Sequence, residues 1–311
     1  MNLEALDKYV GVLSKLKRHP APGHGFAPHK PILLLALLDQ IEDRLITDNF
    51  VVLTAELTLG FLDYWKKLVS DPHWQPKIEY PFRHLYQDGF WHFVADDQIV
   101  APESKSYTIN QLRASFDGVR LSPDLWLLLQ DKAALDALRK HLLKIYFQID
   151  FVPRESTQAL VNAEAEKLKA ESQGKFRIKK IKESNETGYF VRHALFPRVV
   201  KELYASTCCV CQAAARIPGR SGIVDAAHIL PFAEFHYDDA RNGLALCKNH
   251  HWGFDSGWFT ITETYKVEVS PRLQNAVSYI TAETEILLPQ NALYYPEPGA
   301  LRWHRQHVLL K

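Results

Sequence analysis

No uninterrupted apolar run in this sequence reaches about 18 residues, which leaves no candidate for a membrane-spanning helix. The opening MNLEALDKYVGVLSKLKRHP also lacks the continuous apolar centre of a secretory leader. Leu3, Leu6, Val10 and Leu13 recur there at helical spacing instead. A cytoplasmic protein is expected. Neither sign of charge dominates, since 37 Lys and Arg stand against 36 Asp and Glu. Overall electrostatics therefore do not mark a nucleic-acid binder, and any such surface has to be a local patch. Cysteine is scarce: Cys208, Cys209, Cys211 and Cys247 are the four in 311 residues. A disulfide framework spreads cysteines through a small secreted chain, whereas clustering in a chain of this kind points to a metal. No internal repeat is present.

What is there is an ordinary globular composition, 47% hydrophobic and 23% charged, long enough for two domains. The first 150 residues read as mostly helical with short strands. HKPILLLALLDQIED (29–43) is apolar nearly all round, a buried central helix with Pro31 in its first turn. Thr54 caps a second helix, GFWHFV and QIV are short strands, and 122–147 holds one or two more helices opened by Ser122 and Pro123. Residues 151–188 turn polar and rich in Ala, Glu and Lys, a linker that is partly helical. Within it KFRIKKIK is a solvated face or, alternatively, a phosphate-contacting strip. A second domain occupies 189–311, with a helix through Pro197, a strand ending at His228, an irregular loop, a helix around 249–256 and strands at 257–269.

The chemistry concentrates in this second domain. Cys208-x-x-Cys211 and Cys247-x-x-His250 are two knuckles that can close a tetrahedral zinc site of three sulfurs and one nitrogen. Four protein ligands leave no open position, so the Zn²⁺ is expected to be structural and Cys209 is spare. Between and after the knuckles come His228, Asn242 and His251, within AAHILP, NGLALC and HHWGFDSG. This order resembles the HNH nuclease motif in its zinc-stapled form. The resemblance implies a phosphodiester hydrolase in which His228 is the general base and Asn242 bonds loop backbone to hold it. It also implies a catalytic Mg²⁺ or Mn²⁺. His251 and Asp255 are spaced i, i+4 on one helix face and are suited to hold it. Adjacent residues in a helix point about 100° apart, so His250 and His251 should serve separate ions. Many HNH enzymes carry Asp or His just before the base; here it is Ala227. Asp225 is the alternative ligand, although strand alternation points it away from His228. Asp238 and Asp239 read as loop residues, Gly253 and Gly257 as packing or turn positions, and Trp252, Phe254 and Trp258 as core.

In the first domain HKPILLLALLDQI, YPFRHL and DGFWHF resemble the sulfur-binding domain of phosphorothioate-dependent restriction endonucleases. In that family such a domain precedes an HNH domain. The resemblance implies an α+β chain: a mostly helical N-terminal domain with short strands, linked to a small zinc-stapled ββα-metal (HNH) domain. It places a phosphorothioate pocket at an HKP turn (His29, Lys30) and a YPFRH turn (Tyr80, Pro81, His84). Sulfur is larger and less strongly hydrated than oxygen, so apolar walls discriminate by the penalty for burying an unbonded oxygen. Lys30 is expected to pair with a phosphate, and Arg83, Gln87, Lys105 and Arg113 to reach bases or phosphates nearby. The partner is then double-stranded, phosphorothioate-modified DNA, cut by a homodimer or by sequential nicking. Two other readings stay open: targeting to a different DNA modification, and a catalytically inactive modified-DNA sensor.

Overall fold

The structure, a computed structural model, describes residues 2–172, 186–214, 222–273 and 280–310. The chain divides into two compact units. One holds residues up to Asn162 together with the stretch ending at Val191, and the other takes in residues from Ala163 and from Arg192 onward. The basic strip at 175–182 lies outside the described residues. Among the described residues no helix is long and apolar enough to cross a membrane.

The first unit opens with α1 (Leu3–Leu13), capped by the Asn2 side chain, and a small hairpin of β1 (Pro20–Ala21) and β2 (Gly25–Phe26). Helix α2 (His29–Glu42) is its centre, and every residue from His29 to Ile41 is buried. An all-round apolar sequence forces this, because such a helix has no face to give to water. Against it pack α3 (Ala55–Leu68), whose Thr54 cap accepts from the Leu57 N–H at 3.2 Å, and the short α4 (Glu79–His84). Strands β3 (Trp91–Ala95) and β4 (Gln98–Val100) form a hairpin. Its two turn residues, Asp96 and Asp97, both adopt positive φ, as a type I′ turn requires. Helix α5 (Ile109–Ser115) carries a full capping box, and β5 (Gly118–Leu121) completes a β4-β3-β5 sheet. The 122–147 segment is two helices, α6 (Pro123–Leu128) and α7 (Lys132–Phe147), the second capped by Asp131. Arg139 of α7 ties to Asp39 and Glu42 of α2 at 3.0 and 2.6 Å.

Two expectations are corrected here. HKP and YPFRH are not turns: His29 and Lys30 begin α2, and Tyr80, Pro81 and His84 lie in α4. Pro31 and Pro81 each occupy a first helical turn, where the missing N–H has no intrahelical partner to lose.

Helix α8 (Thr157–Glu171) occupies part of the expected linker, and α9 (Glu186–Leu203) starts before the expected domain boundary and carries Pro197 inside it. In the second unit the last turns of α8 place Ala165 and Leu168 against Val199 and Ala240. Strand β6 (Val224–His228) is followed by the single turn α10 (Phe232–Phe235), then β7 (Gly243–Cys247), which runs straight into α11 (Lys248–Asp255). β6 and β7 pair antiparallel without a bulge, from Val224↔Cys247 to His228↔Gly243. The strand β7 was not anticipated; a five-residue apolar run is too short to show a period. Gly243 is required at its start, because a Cβ there would lie 2.4 Å from Val200 Cγ2. This close approach lays α9 along the hairpin. A second hairpin, β8 (Phe259–Ile261) with β9 (Val267–Val269), and α12 (Pro298–His307) close the core around Phe254 and Phe259. Gly257 has φ +70°, and a Cβ on it would meet the Val308 carbonyl at 2.1 Å.

Candidate active site and metal centre

Cys208 and Cys211 sit on a tight turn after α9, closed by Gln212 N–H donating to the Cys208 carbonyl at 2.9 Å, with Gln212 at positive φ. Cys247 ends β7, and His250 lies in the first turn of α11. The hairpin and helix therefore bring all four ligand atoms within 4.8 Å of one another. Cys247 Sγ is 3.0 Å and Cys208 Sγ 3.6 Å from His250 Nδ1, and the Cys211 and Cys247 sulfurs are 3.9 Å apart. A tetrahedral ion bound at about 2.3 Å to sulfur and about 2.0 Å to nitrogen needs ligand separations of roughly 3.5–3.8 Å. The cluster fits with small adjustment. Burial works against the Cys208 thiolate, but hydrogen bonds from His250 and nearby backbone outweigh it and bring its pKa to about 6. Burial and the neighbouring thiolate push Cys211 the other way, to about 12. Cys209 is fully buried, with its backbone bonded to Ala245 and Leu287, and belongs to the core.

His228 closes β6, on the rim of the hairpin. Its ring stacks on Phe196 of α9 at 3.9 Å and 10°, and its Nε2 lies 3.0 Å from Asp238 Oδ1. Asp238 is buried. Burial alone raises a carboxyl pKa, yet hydrogen bonds from His193 and His228 outweigh it, so the group is held anionic. A carboxylate only accepts, so the hydrogen of His228 is on Nε2 and its Nδ1 lone pair is free of that proton. Asn242, fully buried, fixes both ends of the loop between them. Its Oδ1 accepts from Leu230 N–H at 2.8 Å, and its Nδ2 donates to the carbonyls of Leu230 and Tyr237 at 3.2 and 3.0 Å. Leu230 is two residues after His228, and Tyr237 is next to Asp238.

On α11, one residue after the ligand His250, His251 lies between two carboxylates. Its Nδ1 is 3.6 Å from Asp225 and its Nε2 3.4 Å from Asp255. Asp225 also takes Lys248 at 2.8 Å, and although burial opposes it, these contacts hold its pKa low. Burial raises that of Asp255, with His251 and His228 opposing. The two carboxylates approach opposite ring nitrogens, so they meet His251 as two pairs and do not converge on one nitrogen.

Asp238 lies in a loop, as read, and is in addition a buried partner of His228. One expectation in this unit is corrected. Trp252, read as core, is 58% exposed and edges Trp258 at 4.4 Å, because α11 turns that position outward; Phe254 is fully buried, stacked on His304 at 3.7 Å. His193 was missed as well. It lies three residues before Phe196, on the same face of α9, and that spacing was the available signal.

In the first unit His29, Lys30, Tyr80, Pro81 and His84 all line one cavity of about 730 Å³. Lysines, an arginine and four histidines surround it, and no carboxylate is among the described residues lining it. His29 packs on Trp65 at 4.7 Å and faces Tyr80 at 5.9 Å, its Nε2 donating to the Gln75 carbonyl at 2.8 Å. Burial drops its pKa to about 4, so it is neutral at physiological pH. Burial, then the charges of Arg83 and Lys30, also lowers His84. The Lys30 ammonium, expected at a phosphate, is instead buried 2.5 Å from Asp88. Lys17, Arg18 and Lys77, which the sequence did not single out, supply the remaining cations. Arg83 is corrected: it is buried, bonding the carbonyls of Ser104 and Pro102 at 2.9 and 3.3 Å, and so does not reach bases.

A two-stranded hairpin running into a helix, with a rim histidine and a buried asparagine behind it, defines the ββα-metal nuclease class. Residues 208–262 match the HNH endonuclease family (HNH_2), so the second unit contains an HNH endonuclease domain. Among solved structures the chain is similar to the modification-dependent TagI restriction endonuclease, with 26% identity and a TM-score of 0.30. That match spans 38% of this chain and 39% of the other. It is similar also to the sulfur-binding domain of ScoMcrA complexed with phosphorothioated DNA, at 19% identity and a TM-score of 0.37, over 50% of this chain and 96% of that one. No curated protein matches the sequence.

Proposed function

We propose that this chain is a modification-dependent DNA endonuclease whose first unit captures phosphorothioated DNA and whose HNH domain hydrolyses phosphodiester bonds nearby. The observation that carries the cleavage reading is the His228–Asp238 pair at 3.0 Å, locked from behind by Asn242. Asp238 keeps the proton on Nε2, which leaves Nδ1 of His228 to take a proton from the attacking water. His251, with Asp225 or Asp255, is the donor set for a catalytic Mg²⁺ or Mn²⁺; when bound, that cation supplies neutralisation of the charge developing on the scissile phosphate. Cys208, Cys211, Cys247 and His250 hold Zn²⁺, whose role is to staple the Cys turn to the ββα core.

The targeting reading is supported by the cavity's chemistry and by the HKP and YPFRH motifs. Its cationic lining suits a phosphodiester anion, and its Tyr80, Pro81 and His29 walls offer few donors to a second non-bridging oxygen. Such a surface penalises oxygen relative to sulfur by the cost of an unbonded buried acceptor, about 1–3 kcal/mol. Incubating phosphorothioated and unmodified plasmids with Mg²⁺ or Mn²⁺ tests both halves. Metal-dependent cutting of the sulfur-marked plasmid, abolished by His228→Ala, is expected. Equal cutting of both plasmids would sink the sulfur reading, and no cutting the catalytic one.

A further inference from the structure

The second unit holds another group of metal-ligating side chains besides the cysteine cluster: His193 of α9, His228 of β6 and Asp238 of the intervening loop. Their ligand atoms lie within 4.8 Å of one another, and one carboxylate oxygen, Asp238 Oδ1, is 3.0 Å from His228 Nε2 and 3.5 Å from His193 Nδ1. Neither the general-base role of His228 nor its orientation by Asp238 needs His193.

We infer that His193, His228 and Asp238 form a second site for a borderline transition-metal dication such as Zn²⁺, and that filling it silences the nuclease. Two imidazoles and a carboxylate are the donor types Zn²⁺ takes when three protein ligands leave a fourth position to water. Mg²⁺ prefers oxygen donors and would not compete well there. The geometry is close to what an ion needs, since bonds of about 2.0–2.1 Å at tetrahedral angles separate ligand atoms by roughly 3.3–3.4 Å. The site is also held ready. Phe196 stacks on the His228 ring at 3.9 Å and Phe232 on the His193 ring at 3.9 Å, with the two imidazoles 20° from parallel. The Asp238 side chain is 3% exposed, and the His193 and His228 rings both bond it. A buried anion so matched gains from a dication. Arg241, three residues on, gives its guanidinium to Asp239 at 2.7 and 3.0 Å.

The consequence follows from the tautomer. An ion on His228 Nε2 displaces the hydrogen to Nδ1, and the lone pair that receives the water's proton is gone. Inhibition is thus competition for the protonation state of the base and needs no contact with DNA. The inhibitory part rests on His228 being the general base; the binding part does not.

The test separates the two. Protein carrying one equivalent of Zn²⁺ is titrated with Co²⁺ and followed by absorption, then Mg²⁺-supported cleavage is measured against added Zn²⁺. Binding of a second equivalent is expected, with ligand-field bands but without the thiolate-to-metal charge transfer of a cysteine site. His193→Gln should weaken that second binding at least about 10-fold and raise the half-inhibiting Zn²⁺ concentration by the same factor. Its Mg²⁺-supported cleavage should persist. A single equivalent bound, a second equivalent with thiolate charge transfer, or one indifferent to His193→Gln would overturn the site. A second equivalent lost in His193→Gln, in a protein whose cleavage Zn²⁺ leaves untouched, would overturn the silencing. A wild type without any nuclease activity would defeat the proposed function and the silencing while leaving the metal titration to decide the site.

Discussion

His250 and His251 are neighbours in sequence with different company. His250 Nδ1 is 3.0 Å from Cys247 Sγ, while the ring nitrogens of His251 face Asp225 and Asp255 at 3.6 and 3.4 Å. One turn of helix thus serves two sites, because consecutive side chains diverge by about 100°. His250→Ala should therefore release a tightly held metal and lower the melting temperature by at least about 10 °C. His251→Ala should keep the metal and the melting point but lose cleavage. Metal analysis beside thermal melts of both variants checks this, and equal metal loss in the two would contradict it.

Asp238→Asn keeps the shape of the loop but no longer dictates which nitrogen of His228 carries the proton. A fall in kcat of about 10²–10⁴-fold with KM little changed is expected. A purely structural role would lower the folded fraction and leave kcat per folded molecule unchanged.

Asn242 has three side-chain hydrogen bonds and no exposure. Asn242→Ala leaves Leu230 N–H and two carbonyls without these partners and should cost about 3 kcal/mol in denaturant unfolding. A cost below about 1 kcal/mol would show that the loop is held by other contacts.

His29 titrates at about 4 when folded, against an ordinary value of 6.5. The unfolded chain binds the proton first as pH falls, so the stabilisation is complete above pH 6.5 and is lost between 6.5 and 4. The loss amounts to about 3 kcal/mol. Urea unfolding of the first unit at pH 7.5 and 4.5 should show this decline, and His29→Gln should reduce it. A wild-type stability that is flat across that window, or rises toward acid, would contradict the burial of a neutral imidazole.

Trp252→Ala should change stability by no more than about 1 kcal/mol, since the side chain is largely in solvent. Phe254→Ala, two residues on and fully buried, should cost about 3–5 kcal/mol. Melts of the pair check whether α11 presents these faces as described.

Much of this was legible in the sequence where the physics is local. Thr54 as a cap, α2 as a buried helix, β6 ending at His228 and α11 beginning near the second knuckle follow from capping and periodicity over a few residues. The paired x-x spacings of Cys208, Cys211, Cys247 and His250 already carried the ligand geometry within each knuckle, and the helical 100° step already divided His250 from His251.

Side-chain partners far apart in the chain were decided only by packing. Asp238 became the partner of His228 because Asn242 pins both ends of the loop that returns it; His193 joined them because the missing Cβ of Gly243 lets α9 lie close against the hairpin. Lys30 found Asp88, and Trp252 was left in solvent, for the same reason: spacing sets which residues share an element's face, but the surface that face meets is fixed only when the elements come together.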